Sequence, residues 1–298
     1  MINAAIIGFG NVGNYAIDAI MEEPDFNLAG VVRRKESLGG TPPELKDIKV
    51  VSDIRELGSV DVAILASPTR MVSQEAKKYL ALGINTVDSY DIHSGIWELK
   101  KELEPVAKEH NAVSIISAGW DPGCNSVYRS IFEYSSPRGI THTNYGEGMS
   151  LGHTVAVKSK EGVKNALSIT IPRGTGIHAR LVYVELEEGA DFAAVEKSIK
   201  ADSYFINDET RVVQTKDVAS LIDLGHGVLI ERKGVSGKTH NQMFKVDIRA
   251  NNPAITSQIM VSSARASMKQ APGSYTIIEI PVIDFLYGEK EDLIKRLV

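Results

Sequence analysis

The amino-acid sequence predicts an α/β fold in two parts, a doubly wound parallel sheet and an α+β part with a mostly antiparallel sheet. Three observations predict it. Short apolar runs alternate with amphipathic stretches through the first 120 or so residues. A glycine-rich turn follows the first apolar run. Past Gly119 the alternation gives way to runs in which apolar and polar residues take turns, as in strands with one covered face.

Ala4-Ala5-Ile6-Ile7 is a strand, and residues 14–23 form a helix with Ala16, Ile17, Ala19 and Ile20 on its packing face. Residues 26–32 form the second strand, and residues 60–66 a buried strand stopped by Ser67-Pro68. A helix over 74–82 ends at Gly83. Strands over 84–88 and 112–117 flank a charged helix, 95–110, kinked or broken near Pro105.

In the second part, residues 139–145, 153–158, 166–171, 178–186, 227–233 and 242–250 read as strands. One helix, 191–201, interrupts them. A helix over 253–270, a strand over 275–280 and a short C-terminal helix then return to the first part. The domains are therefore expected at 1–119 with 252–298, and at 120–251 between them.

The 298 residues suffice for a full core, and 43% hydrophobic with 24% charged content is ordinary for a globular protein. A net charge of −5 argues against a nucleic-acid binder. No apolar run approaches the ~20 residues that span a bilayer, so no membrane partner is expected. One cysteine and no leader-like N-terminus fit a cytoplasmic protein. His93, His110, His142, His178 and His240 show no ligand spacing, so no metal is expected.

Gly8-Phe9-Gly10-Asn11-Val12-Gly13 follows a strand and opens a helix, the context of a Rossmann-type dinucleotide loop. Gly8 permits the tight turn, Gly10 lets a pyrophosphate approach, and Gly13 lets the helix pack on the strand. A plain tight turn is the alternative. About 20 residues past such a loop, NAD enzymes place an acid on the ribose. Here Arg33-Arg34-Lys35 stands there, which suits a 2′-phosphate and points to NADP, with a solvated basic turn as the alternative. Ser67, Pro68 and Thr69 end the next strand and should line the same cleft.

Asp91 and Asp121 follow two further strand ends, where a nicotinamide would lie; each could instead cap a helix. A carboxylate there can hold an ammonium group and help move its proton. In the second part His153, Thr170, Arg180, His226 and Asn252 are polar residues on or beside apolar strands, and Arg180 suits a carboxylate. They could also be exposed sheet residues, and His226 a turn residue. A substrate cleft between the two parts is expected. Cys124, in Pro122-Gly123-Cys124, could be a nucleophile at a helix start, but no base for it is identifiable.

Taken together, these stretches resemble the meso-diaminopimelate dehydrogenase family along essentially the whole length of the sequence. The carrying motifs are the glycine loop, Val31-Val32-Arg33-Arg34-Lys35, Val87-Asp88-Ser89-Tyr90-Asp91-Ile92-His93, and Ser117-Ala118-Gly119-Trp120-Asp121-Pro122-Gly123. Gly148-Met149-Ser150-Leu151-Gly152-His153, Ile222-Asp223-Leu224-Gly225-His226-Gly227, Asn251-Asn252-Pro253-Ala254 and Ile278-Glu279-Ile280-Pro281 complete them. The resemblance implies NADP-dependent oxidative deamination at the D-centre of meso-2,6-diaminopimelate, a step of lysine biosynthesis, by a homodimer.

It implies Asp91 and Asp121 as catalytic residues. The substrate would meet these two with Trp120, Tyr145, Leu151, Gly152, His153, Thr170, Arg180, His226 and Asn252, with Arg180, Thr170 and His226 at the L-centre. The cofactor would meet Gly8 to Gly13 including Phe9, Asn11 and Val12, then Arg33, Arg34, Ser67, Pro68, Thr69, Ser89, Tyr90, Asp91, Asp121 and Pro122. Tyr145 replaces the family's Phe or Trp and Leu151 a Met, which leaves substrate breadth open; Cys124 replaces a small polar residue, and the resemblance implies no thiol chemistry there. A broader D-amino-acid dehydrogenase, another NADP-linked carbonyl or imine reductase and a non-catalytic NADP sensor are the competing expectations.

Overall fold

The computed structural model describes residues 1–37, 39–40, 42–221 and 225–298. The stretch 222–224, part of one family-like motif, lies outside the described residues. In chain order the regular elements are β1 (Ile2–Ile7), α1 (Asn11–Glu22), β2 (Phe26–Val32), β3 (Val50–Val51), β4 (Val62–Leu65), α2 (Val72–Leu80), β5 (Asn85–Asp88), α3 (Ile96–Glu109), β6 (Val113–Ile116) and α4 (Asn125–Ser135). Then come β7 (Arg138–Tyr145), β8 (Gly148–Met149), α5 (Leu151–Lys158), β9 (Val163–Gly174), β10 (Ile177–Leu186), α6 (Phe192–Lys200) and β11 (Glu209–Gln214). The chain ends with β12 (Gly225–Ser236), β13 (Thr239–Asn251), α7 (Asn252–Ser267), β14 (Gly273–Thr276) and α8 (Lys290–Leu297). Two compact units result: Met1–Val127 with Pro253–Val298, and Tyr128–Asn252.

The first unit holds a seven-stranded sheet in the order β14-β6-β5-β4-β1-β2-β3, with all six strand pairings parallel. Its central strands are apolar on both faces because helices cover both. Ala4, Ile6, Val62 and Ile64 face α1 and α7, while Ala5, Ile7, Ala63 and Leu65 face α2 and α3. β1 and β4 are neighbours, and the chain leaves them toward opposite sheet edges, so the crevice at their C-ends is the switch point where doubly wound sheets bind ligands.

Of the kink or break expected near Pro105, the break does not occur: α3 runs as one helix through it. Proline removes one helical hydrogen bond, but Leu99, Leu103 and Ala107 are buried at four-residue spacing on either side of it and anchor the helix to the sheet. The strand expected over 275–280 is shorter. β14 pairs with β6 only to Thr276, after which Glu279 accepts from Thr276 N and turns the chain into a 3-10 segment.

The second unit holds two sheets rather than one, β11-β10-β9-β8 and β13-β12-β7. Their pairings are antiparallel except β10 with β11, which α6 joins as a crossover. Strands β3, β8 and β11 were not expected from the sequence. The larger correction is α5, where residues 153–158 read as a strand. The run His153-Thr154-Val155-Ala156-Val157 is β-branched and alternating, but its buried residues, Thr154 and Val157, are three apart, and Val155 between them is 57% exposed. That spacing is helical. Ser150 starts the helix, its carbonyl accepting from Thr154 N at 3.0 Å, and Thr154 Oγ1 accepts from Ser168 N of β9 at 3.0 Å.

Candidate functional site

In the first unit the glycine loop joins β1 to α1. Gly8 has φ +92°, and a Cβ there would lie 2.9 Å from Ala66 O; at Gly13 a Cβ would lie 2.6 Å from Gly8 O. Gly10 differs, since a Cβ there would meet nothing within 4 Å. The loop thus needs glycine twice for its own packing and leaves open space before the third. Gly10 occupies the N-cap position of α1 without a side-chain cap, and the first turn, which includes Asn11 and Val12, carries no acid. Such a helix start favours an anion. A dinucleotide fits this cradle.

Arg33 lies at the C-end of β2 with its guanidinium 5.8 Å from the Phe9 ring, and Nη1 donates to Gly40 O at 3.4 Å. Arg34 beside it is exposed. Ser67 Oγ, past β4, lies across the switch point, donating to Ile7 O at 3.3 Å and also to the Glu75 carboxylate. Pro68 starts the next turn, and Thr69 Oγ1 donates to Asp91 Oδ1 at 2.7 Å. Asp91 is therefore tied to the loop past β4, and the cap of the turn after it is Ile92.

Asp88, which the sequence reading did not single out, organises the next two loops. It ends β5 and is fully buried. Its Oδ1 accepts from Tyr90 N and from Ser117 N, each at 2.9 Å, and its carbonyl accepts from Ala118 N at 2.6 Å. One side chain thus clamps the loop carrying Ser89, Tyr90 and Asp91 to the loop leading to Trp120, Asp121 and Pro122. Burial pushes its carboxyl up to about 6 against the pull of the two amides. Trp120 is buried, and Asp121 lies within the turn Trp120–Cys124 in extended conformation. Asp121 Oδ2 is 3.5 Å from His93 Nε2, a neighbour the sequence did not reveal. Cys124 closes that turn, its N–H donating to Gly119 O at 3.0 Å.

In the second unit the polar set converges. Arg180 on β10 stands opposite Thr170 on β9, and Thr170 opposite Gly148 on β8. Along the same face of β10, Val182 and Val184 enter the hydrophobic core, so this face is apolar at one end and polar at the other. Arg180 Nη1 donates to Thr170 Oγ1 at 2.5 Å, and Nε donates to Asp208 Oδ2 at 2.5 Å. His153 comes from the first turn of α5, with Ser150 Oγ 2.8 Å from its Nδ1 and the Tyr204 and Phe205 rings edge-on at 5.0 and 5.1 Å. Burial, then the charge of Arg180, pushes its imidazole down to about 4, so it is neutral at pH 7. Leu151 and Gly152 share that turn, Leu151 packing toward Met149, Leu167 and Val218.

Tyr145 ends β7, and its N–H donates to His178 Nε2 at 2.8 Å. Its ring lies 5.0 Å from that of His178 and is stacked at 6.3 Å on that of His226. His226 is a buried strand residue of β12, not a turn residue, and Asn252 begins α7. His178 and Asp208 were missed because each earns its place by a contact rather than by a motif. Among the described residues, no group of three or more His, Cys, Asp or Glu is placed to hold a metal ion, and no helix is long and apolar enough to cross a membrane.

Residues 119–252 match the family described as diaminopimelic acid dehydrogenase C-terminal domain, and residues 2–115 match an oxidoreductase family with an NAD-binding Rossmann fold. Over 297 residues the chain is 59% identical to meso-diaminopimelate D-dehydrogenase of Bacteroides fragilis, covering 100% of this chain and 99% of that one. The enzyme of the same name from Lysinibacillus sphaericus is 33% identical over 94% of each chain. Among solved structures, Corynebacterium glutamicum diaminopimelate dehydrogenase in complex with diaminopimelate superposes with a TM-score of 0.90 at 25% identity, covering 100% of this chain and 99% of that one. An engineered D-amino acid dehydrogenase bound to NADP⁺ gives 0.89 at 25% identity over the same shares. A chain with this parallel sheet, this α+β unit and this full-length likeness belongs to the meso-diaminopimelate D-dehydrogenase family.

Proposed function

We propose that the chain oxidises the D-configured amino carbon of meso-2,6-diaminopimelate with NADP⁺, giving L-2-amino-6-oxopimelate and ammonia, and runs the reverse reductive amination. The observation that carries this reading is Arg180, a nearly buried guanidinium held by Thr170 and Asp208 beside a neutral His153. A fixed fork of donors suits a carboxylate. The two ends of the substrate are chemically identical apart from their hand, so only anchoring one of them decides which end reacts. In this reading Arg180, Thr170 and His226 hold the L-centre, with Tyr145 and His178 shaping the wall beside them.

The reacting ammonium must lose a proton before hydride can leave its carbon. We assign its binding to Asp91 and Asp121, with Trp120 beside them. Thr69 orients Asp91 by its hydrogen bond, and Asp88 holds both loops in place. When bound, the nicotinamide supplies the hydride acceptor. Arg33 and Arg34 favour NADP over NAD because they complement a 2′-phosphate, and Gly8 to Gly13 with Ser67 to Thr69 cradle the rest. A homodimer formed through residues 120–251, in the cytoplasm, completes the proposal.

The test is absorbance at the NADPH band with purified protein at mildly alkaline pH. Reduction of NADP⁺ by the meso isomer, with the LL and DD isomers and NAD⁺ nearly inert, is the expected result. Activity confined to simple D-amino acids would move the substrate to a broader enzyme. Cofactor binding without any turnover would favour a sensor.

A further inference from the structure

Arg180 is useful as an anchor only if its guanidinium is held still, and the segment between α6 and β11 is built to do this. Contacts at Asp202, Phe205 and Asp208 fix that segment. Asp202 pairs with Lys160 at 2.6 Å, and its Oδ1 accepts from Tyr204 N at 3.0 Å. Phe205, 1% exposed, plugs into the core beside the His153 ring. Asp208 N donates to Phe205 O at 3.0 Å, and Thr210 Oγ1 donates to Asp208 O at 3.1 Å, so the backbone under Asp208 is itself braced. The side chain rising from that brace meets Arg180 Nε at 2.5 Å, with 23% and 11% of the two side chains accessible.

We propose that Asp208 is a positioning residue for substrate: it grips the Nε edge of Arg180 so that the free end of the guanidinium is presented to the carboxylate of the spectator L-centre. The proposal rests on the reading of Arg180 given above. A guanidinium has five N–H donors. Asp208 takes the one on Nε and Thr170 one on Nη1. Among the described residues, one N–H on Nη1 and both on Nη2 have no acceptor. A carboxylate binding end-on needs one donor from each of these nitrogens, so the two protein contacts leave the required pair available. Without Asp208 the side chain would regain rotamers that substrate would have to freeze again, and the loss would appear as weaker binding, not slower chemistry.

The experiment compares Asp208→Ala, Asp208→Asn and Arg180→Met with the unaltered enzyme. It reads KM for meso-diaminopimelate, KM for NADP⁺, kcat and the melting midpoint. Asp208→Ala is expected to raise KM for the amino acid about tenfold, with kcat within about threefold and KM for NADP⁺ unchanged. Asp208→Asn keeps an acceptor oxygen at the same place and should stay within about threefold of the unaltered enzyme. If the alanine variant does not fold, Asp208→Glu, which moves the acceptor by one methylene, should raise the same KM while keeping the melting midpoint.

An unchanged KM in Asp208→Ala, with substrate affinity lost in Arg180→Met, overturns the role of Asp208 and leaves that of Arg180 standing. An asparagine variant as weak as the alanine one overturns the hydrogen-bonded grip. Parallel losses in kcat, both KM values and melting would make Asp208 a merely structural residue. If Arg180→Met itself leaves KM for the amino acid unchanged, the reading of Arg180 falls and the proposal falls with it.

Discussion

At the scale of single residues, the glycine loop separates what the fold needs from what a dinucleotide needs. Gly13→Ala would place a methyl 2.6 Å from Gly8 O, against backbone that cannot yield. It should destabilise the ligand-free protein by about 2–3 kcal/mol, read from urea unfolding. Gly10→Ala meets no protein atom within 4 Å. It should keep unfolding within about 1 kcal/mol of the parent yet weaken NADP⁺ binding at least about tenfold, measured by calorimetry. Replacing Arg33 and Arg34 together by alanine should raise KM for NADP⁺ by about two orders of magnitude and leave the weak use of NAD⁺ nearly unchanged. These residues were legible because their chemistry is local: three glycines in six positions, and two arginines at one strand end. Arg180 was legible as a polar residue in an apolar strand, but its pairing with Asp208 was not, since the two lie 28 residues apart and meet only because a braced turn carries one back to the other.

At the scale of elements, sequence patterning failed where two periods overlap. The run in α5 satisfies a strand template, and only burial separates the alternatives. Val157→Ala, at a fully buried position, should cost about 2 kcal/mol, whereas Val155→Ala on the exposed face should change stability by less than about 0.5 kcal/mol. A strand at this place would bury both or neither. The parallel strands were legible for the opposite reason: four or five consecutive apolar residues bounded by Gly, Ser or Pro fit no amphipathic helix. What the pattern could not convey was the clamp at the end of β5. An aspartate closing an apolar strand announces a buried charge, but its partner amide at Ser117 belongs to a different strand end.

That clamp has a pH signature. In the folded chain Asp88 keeps its proton up to about pH 6, and in the unfolded chain it releases it near 3.8. Between those values the folded state binds more protons, so the contribution of Asp88 to stability is fullest at the acid end and falls as pH rises. Asp88→Asn removes this dependence. Its stability relative to the parent should therefore improve by up to about 1.4 kcal/mol per pH unit between pH 4 and 6 and level off above, as read from urea titrations at several pH values.

At the scale of the molecule, the second unit carries the opposite slope. His153 binds its proton near 4 when folded and near 6.5 when unfolded, so in that window the unfolded state holds more protons and stability rises with pH. His153→Gln should flatten this rise in the unfolding of residues 128–252 without touching the Asp88 effect. A single probe of the whole chain would average two trends of opposite sign, so each unit needs its own signal.

The order of the units along the chain has a consequence for synthesis. Residues 1–127 leave the ribosome first, but their sheet lacks β14 at its β6 edge, and their core lacks Met260, Val261 and Ala264 of α7. The link from Arg265 to Glu23 and Asp25, which ties the returning helix to the start of β2, also arrives late. The middle unit, Tyr128–Asn252, is continuous and is complete as soon as its last strand emerges. The half of the molecule that is made first is therefore finished last. Until residues 253–298 arrive, the nascent chain exposes one open sheet edge and one bare apolar face, the surfaces that a ribosome-associated chaperone would cover.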